Sequence, residues 1–366
     1  MAELGGSEKV TASTIATYLE SVSPDRIVTG IGGFGIVAVY EGGNPGPSVL
    51  VRCELDALPI DEHLDIPHKS KTDGVAHKCG HDGHMAILAG LAEHLHANNP
   101  VRGRVLLLYQ PSEETGEGAA RVLADDTFRP FAPDFAIALH NLPGYTRGQV
   151  VLRNGTFASA STGLKIALRG KTSHAAEPEA GNSPALAVAQ LMQVLSAMPQ
   201  FHTSLHESAK VTVIHARLGE EAFGTSPGEA QVMATLRAHR QDVIDRLMAK
   251  AVSIAERTAA SFDLEVETLR VEPFPATVND DGVVEVIEQS ARALGLPVRR
   301  EEHPFAWSED FGHFTNRARG ALFGLGSGEK QPALHHPDYD FPDELIPAGV
   351  DMMSGVVGRL LEHSDV

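Results

Sequence analysis

Residues Ala76 to His84 read Ala-His-Lys-Cys-Gly-His-Asp-Gly-His, which gathers one thiol, three imidazoles and a carboxylate, with two glycines to let the backbone turn. Thiolate and imidazole are ligands of zinc and its transition-metal neighbours. Cys79 and His81 can converge on one ion only where the backbone is extended or sharply turned, because a helix sends positions i and i+2 to different faces. Taken alone, the stretch leaves three readings open: part of a catalytic metal site, a structural zinc knuckle, and a His-rich loop without metal.

The elements around it must decide. Ser48–Arg52 is a short buried strand that ends in Glu54-Leu55-Asp56-Ala57-Leu58-Pro59. Val105–Tyr109 is another, running into Gln110-Pro111-Ser112-Glu113-Glu114, and a third, Phe135–Leu139, ends at His140-Asn141. Helical spacing lies before and between them, at Thr11–Val22, Met85–His96 and Ala119–Ala124. Buried strands alternating with helices imply an α/β fold with a mixed, mostly parallel sheet flanked by helices. Open sheets of this kind build their sites at the carboxyl ends of the strands, and three successive ends deliver Asp56, Glu113/Glu114 and His140. The glycines of Gly30–Tyr40 precede an apolar run rather than follow one, so they mark a turn into a strand and not a phosphate loop.

From Ser161 the pattern changes. Strands at Leu164–Leu168, Lys210–His215, Ala230–Leu236 and Leu264–Leu269 enclose helices at Ser183–Met198 and Val243–Ala260. The order β-α-β-β-α-β is that of a ferredoxin-like α+β unit. Helices at Asp281–Leu294 and Ile346–Glu362 and a strand at Gly320–Gly324 then resume the first pattern. The expected organisation is a discontinuous metal-binding domain, 1–158 and 272–366, with an inserted lid or dimerisation domain at 159–271.

Cys79, His81, Glu113 or Glu114, His140 and the pair His335-His336 are more ligands than one tetrahedral zinc needs. They suit two ions with shared ligands, of the kind that clamp an attacking and a leaving oxygen together. On a turned segment Glu113 and Glu114 point apart, so one can bind metal while the other stays free as a general base.

Composition narrows the class. The 366 residues carry 30 basic and 48 acidic side chains, a formal charge of −18, which disfavours nucleic acid and anionic membranes as partners. Two cysteines, Cys53 and Cys79, do not make a disulfide framework. Met1–Val10 lacks the basic start and apolar core of a signal peptide, and no apolar run reaches a membrane-spanning length. A cytoplasmic protein is expected.

These motifs, in this order, resemble those of the M20 zinc metallopeptidases. The likeness is closest to the amidohydrolase branch that includes aminoacylases, hippurate hydrolases and auxin-conjugate hydrolases. It rests on Glu54–Pro59, His77–His84, Gln110–Glu114 and His140-Asn141-Leu142-Pro143. It continues through Gly170-Lys171-Thr172-Ser173-His174-Ala175-Ala176, Ser308-Glu309-Asp310-Phe311 and Leu334-His335-His336-Pro337.

The resemblance implies a metal-dependent exopeptidase-like fold and two divalent ions, zinc foremost with manganese, cobalt or nickel as alternatives. By the same likeness Cys79, His81, Glu114, His140 and His335 are ligands, with Cys79 bridging. Glu113 is then the general base and Asp56 a supporting acid. His174 stabilises the oxyanion in a partner subunit, and Arg237 meets a substrate carboxylate. The implied reaction is hydrolysis of the amide of an N-acyl amino acid or related small conjugate by a metal-activated water, in a homodimer formed through the inserted domain. A dipeptidase, an N-carbamoyl amino acid hydrolase and an inactive metal-bound binding module are the rivals. Glu54 stands where the branch usually has Asp and is left without a role. His77, Asp82 and His84 are candidates for supporting the ligands, and Glu309 and Asp310 could simply open a helix, where acids favour the N-terminus.

Overall fold

The computed structural model describes residues 2–362. It divides into two compact units. The first takes in the chain up to Phe157, Thr277–Pro304 and the chain from Glu309 onward; the second is Ala158–Ala276 with Phe305–Ser308.

In the first unit, strands β1 (Arg26–Ile31), β2 (Gly35–Glu41), β3 (Asn44–Glu54), β4 (Arg102–Gln110), β5 (Phe135–Pro143), β6 (Val150–Leu152), β7 (Val298–Arg300) and β8 (Arg319–Gly328) form one sheet in the order β1-β2-β4-β3-β5-β8-β6-β7. Its centre is parallel: β3 pairs with β4 and β5, and β5 with β8. The β1–β2 hairpin and the β2–β4 pair are antiparallel. The hairpin turn uses the positive φ of Gly30, Gly32 and Gly33 (83°, 61° and 123°), so those glycines serve a turn as their place before an apolar run implied.

Val105–Gln110 and Phe135–Asn141 are buried without alternation. That is the signature of strands covered on both faces. Helices α1 (Lys9–Ser21), α2 (His81–Ala97), α3 (Gly118–Ala124), α4 (Asp281–Ala293), α5 (Gly312–Thr315) and α6 (Leu345–Glu362) complete the unit. Leu88, Leu91 and Leu95 of α2 and Met352, Val356 and Leu360 of α6 share one core with Val49 and Val51 of β3. Burying each such side chain contributes roughly 1.5–3 kcal/mol. The strand ends are thereby held on a rigid base.

The second unit has its own core and an antiparallel sheet in the order Ala209–Leu218, Glu229–Ala238, Ala160–Arg169, Glu265–Phe274. Helices Ala185–His202 and Gln241–Ser261 contribute Leu191, Leu195, Ile244 and Leu247 to the same core as Leu164, Ile166 and Leu236. Buried and less buried residues alternate along Glu229–Ala238, as expected where helices cover one face only. The return of Phe305–Ser308 to this unit had no signal in the sequence pattern. No helix among the described residues is long and apolar enough to cross a membrane.

Candidate metal centre

The carboxyl ends of β3, β4 and β5 bring the first set of side chains together. Asp56 lies just beyond β3 and is fully buried. Its backbone carbonyl accepts from His81 Nδ1 at 2.8 Å, which leaves the Nε2 lone pair of His81 facing the site. Its Oδ2 accepts the Glu114 N–H at 2.9 Å. Burial pushes the Asp56 carboxyl up to about 7, against the pull of the Glu114 and Glu113 amides.

Beyond β4 the chain turns at Ser112, a non-glycine residue at φ 55°, whose N–H donates to Glu8 Oε1 at 2.8 Å. That turn leads into Glu113 and Glu114, each with a carboxylate oxygen 3.9 Å from His81 Nε2. Near the carboxyl end of β5, His140 donates from Nδ1 to the Asn141 carbonyl at 2.9 Å, and its Nε2 lies 3.5 Å from Cys79 Sγ.

Cys79 sits just before α2. Gly80 joins it to the helix in a left-handed conformation (φ 88°), and a Cβ there would meet the Asn141 side chain at 2.7 Å. Only glycine fits. Helical spacing implied a start at Met85, yet α2 begins at His81, so the sharp turn at Gly80 is what lets residues 79 and 81 face one point. His335 arrives by its own route: at φ 65° its N–H donates to the Lys78 carbonyl at 2.8 Å, and its Nε2 lies 3.7 Å from Glu114 Oε1. His336 instead accepts the Asp338 N–H with its Nδ1 and sits over half exposed.

Among the described residues five groups have donor atoms within 4.8 Å of one another, and two of them share a thiol: Cys79 with His81 and His140, and Cys79 with Glu114 and His335. Cys79 belongs to both. His81 Nε2 and Glu114 Oε1 are buried without a hydrogen-bond partner among the described residues. Buried polar atoms without a partner call for an explanation, and a thiolate, imidazole and carboxylate set around them fits divalent metal.

The electrostatics agree. Burial and then Asp56 push the Glu114 carboxyl up to about 8, and burial with Glu309 and Glu114 drives Glu113 well above the carboxylate range. Burial with Glu114 and Glu113 likewise pushes the Cys79 thiol up, while burial and the neighbouring His84 hold His140 down at about 4. Burial holds His81 and His335 down as well, so the histidines are neutral and ready to ligate. A cation at this point would reverse the unfavourable ionisation of the acids and the thiol.

Glu113 lies with its Oε2 3.9 Å from His81 Nε2, and its carboxylate also neighbours Glu309 and Asp310. Glu54 now has partners: Oε2 meets His84 Nδ1 at 2.7 Å and Oε1 pairs with Arg52. Burial raises its pKa, but Arg52, His84 and His81 outweigh that and hold it well below the usual range. His84 Nε2 in turn lies 2.6 Å from Asn141 Oδ1. Glu309 and Asp310 precede the short α5, but their carboxylates go elsewhere. Arg52 binds both, and Asp310 Oδ2 accepts the Ala119 N–H of α3 at 2.8 Å. Sequence reasoning gave Arg52 no mention and Gln110 no role beyond opening the Gln110–Glu114 motif; the signal for Arg52 was an arginine inside an otherwise apolar strand run.

In the second unit His174 is exposed, its Nδ1 accepting the Ala176 N–H at 3.0 Å. Arg237 Nη1 donates to the Ala306 carbonyl and to Ser308 Oγ, each at 3.1 Å.

The model of peptidase family M20/M25/M40 matches residues 50–359. The chain belongs to the M20 family. Hippurate hydrolase of Campylobacter jejuni is 30% identical over 346 residues, covering 94% of this chain and 89% of that protein. N-acetyl-L-cysteine deacetylase of Bacillus subtilis is 29% identical over 332 residues, covering 90% and 79%. Among solved structures, a dinuclear metal binding M20 peptidase of B. subtilis superposes with a TM-score of 0.82 at 23% identity, covering 99% of this chain and 94% of the other. An aminobenzoyl-glutamate utilization protein of Klebsiella pneumoniae does so at 0.75 and 23% identity, covering 98% and 92%. This M20 chain is a hydrolase of the metallo-amidohydrolase class, with the mixed α/β fold of those structures.

Proposed function

We propose that this M20 hydrolase cleaves the amide bond of N-acyl amino acids or closely related small conjugates, using two divalent ions. The observation that carries the reading is the double membership of Cys79, in one group with His81 and His140 and in another with Glu114 and His335. A bound metal pair supplies Lewis-acid polarisation of the carbonyl and acidification of water. Zinc is the ion that thiolate and imidazole favour, with manganese, cobalt and nickel able to take its place.

Glu113 takes the proton of the attacking water and returns it to the departing amine, the double duty of a carboxylate beside the reacting atoms. Asp56 holds the Glu114 amide and the His81 ring, so it sets the direction of two ligands at once. The remaining roles are assigned to the second unit. His174 donates to the tetrahedral oxyanion from a second copy of the chain, and Arg237 receives the substrate carboxylate through its bidentate fork. A homodimer formed through that unit is part of the reading.

The names of the relatives point the same way, since they are called hippurate hydrolase and N-acetyl-L-cysteine deacetylase. The test is a panel of N-acetyl, N-benzoyl and N-carbamoyl amino acids with dipeptides, run on stripped and metal-reloaded protein. Turnover of acyl amino acids only after reloading is expected. Preference for dipeptides or carbamoyl compounds would move the substrate class, and turnover by stripped protein would remove the metal from the mechanism.

A further inference from the structure

Arg52 is the largest fully buried side chain among the described residues. Its Nε donates to Gln110 Oε1 at 2.9 Å and its Nη1 to Glu54 Oε1. One Nη2 serves both Glu309 Oε1, at 2.8 Å, and Asp310 Oδ1, at 2.6 Å. The guanidinium also lies over the Phe311 ring, 5.8 Å from its centroid. Burying a charge is costly unless it is paired and hydrogen-bonded, and Arg52 meets three buried carboxylates, those of Glu54, Glu309 and Asp310.

What it fixes is the loop that carries the base. Gln110 closes β4, three residues before Glu113, and its Nε2 donates to both oxygens of Asp310, at 3.0 and 2.8 Å. Asp310 then holds the Ala119 N–H at the start of α3. The loop between Gln110 and Ala119 is thus tied at both ends to one carboxylate, and that carboxylate is tied to Arg52. Glu309, the other Arg52 partner, faces Glu113 and accepts the Phe311 N–H at 3.2 Å. Only a guanidinium offers enough donors in a fixed plane to reach the ends of β3 and β4 and the Glu309–Asp310 segment at once; an ammonium is a single point.

We propose that Arg52 is a positioning residue for Glu113. Its guanidinium locks the ends of β3 and β4 to the Glu309–Asp310 segment and supplies the positive charge that lets Glu309 and Asp310 stand beside the base. Arg52 touches neither substrate nor metal in this role, and the assignment rests on the reading of Glu113 as general base.

The test compares Arg52→Met, Arg52→Lys and Asp310→Asn with the unmodified protein, each metal-loaded. Activity on the acyl panel, metal content and site-resolved amide hydrogen exchange are measured. For Arg52→Met, kcat is expected to fall about 100-fold, the loss that small misplacement of a catalytic group produces, with KM changed by less than about threefold. Metal content stays at the unmodified level. Exchange at Ala119 and Phe311 rises about tenfold or more, because their acceptors are no longer held by a charged hydrogen bond. Arg52→Lys, which keeps the charge and loses the fork, recovers part of kcat and part of the protection. Unchanged kcat in Arg52→Met, or unchanged exchange at both amides, overturns the proposal; so does loss of metal that accounts for the lost activity. Should Arg52→Met fail to fold, Asp310→Asn decides, since it keeps Arg52 and must still raise exchange at Ala119. If the unmodified protein hydrolyses nothing in the panel, the hydrolase reading fails, and the exchange arms alone still accept or reject the clamp.

Discussion

Asp56 and Glu114 come from different strand ends, yet Asp56 Oδ2 accepts the Glu114 N–H at 2.9 Å while its own carbonyl takes the His81 Nδ1 proton. One residue therefore aims an imidazole and a carboxylate at the same point. Asp56→Ala is expected to weaken metal binding and activity about 10–100-fold, the usual effect of losing a group that orients ligands. Asp56→Asn, which keeps an acceptor, should lose less. Competition with a chromophoric chelator measures both, and an Asp56→Ala protein with unmodified affinity would contradict the assignment.

The two buried cysteines should behave differently. Both are free thiols, but only Cys79 lies within reach of His140, Glu114 and His335. Protein loaded with Co(II) should show near-ultraviolet thiolate-to-metal charge transfer, retained in Cys53→Ser and lost in Cys79→Ser. Persistence of the band in Cys79→Ser would remove the thiolate from the site.

Stability of metal-stripped protein should fall as pH rises from about 6.5 to about 8. Asp56, pushed up to about 7, and Glu114, at about 8, hold protons that the unfolded chain has released near its ordinary value of about 4. Their contribution is full below that value and is lost as pH passes through the folded values. His140, held down at about 4, acts in the opposite sense, but its effect is complete by about pH 6.5, where the unfolded imidazole titrates. Reloaded protein should lack the fall, because metal keeps the acids ionised. Thermal unfolding at several pH values checks both, and a rising melting temperature across this window for stripped protein would refute the burial argument.

Glu54→Leu should destabilise the fold by about 3–5 kcal/mol, since it leaves Arg52 and His84 each short of a buried partner. Denaturant unfolding measures this, and a change below about 1 kcal/mol, the size of a surface pair, would show that the network does not depend on Glu54.

Much of this arrangement could be read from the chain. Apolar runs ending in Glu54-Leu55-Asp56, in Glu113-Glu114 and in His140 announce parallel strands whose ends converge, and the fold places them so. The β-α-β-β-α-β order of the middle segment was legible for the same reason: helix and strand periods differ. Other features left no local trace. Arg52 meets Glu309 and Asp310 across 257 and 258 positions, and ion pairs at that range have no spacing to detect. Helix α2 starts at His81 because Gly80 turns left-handed against Asn141, whereas polar residues buried for the site masked the apolar period there. His335 rather than His336 reaches Glu114, from a positive φ with its N–H on the Lys78 carbonyl, a long-range contact without a local trace.

The Glu113→Gln protein tests most directly the proposed hydrolysis of an acyl amide by a metal pair with a free Glu113. Metal content and kcat should be measured on the same sample. Two ions per chain with kcat lowered about 100- to 10,000-fold is the predicted result, the span expected for removal of a general base. Full metal content with undiminished kcat would contradict it.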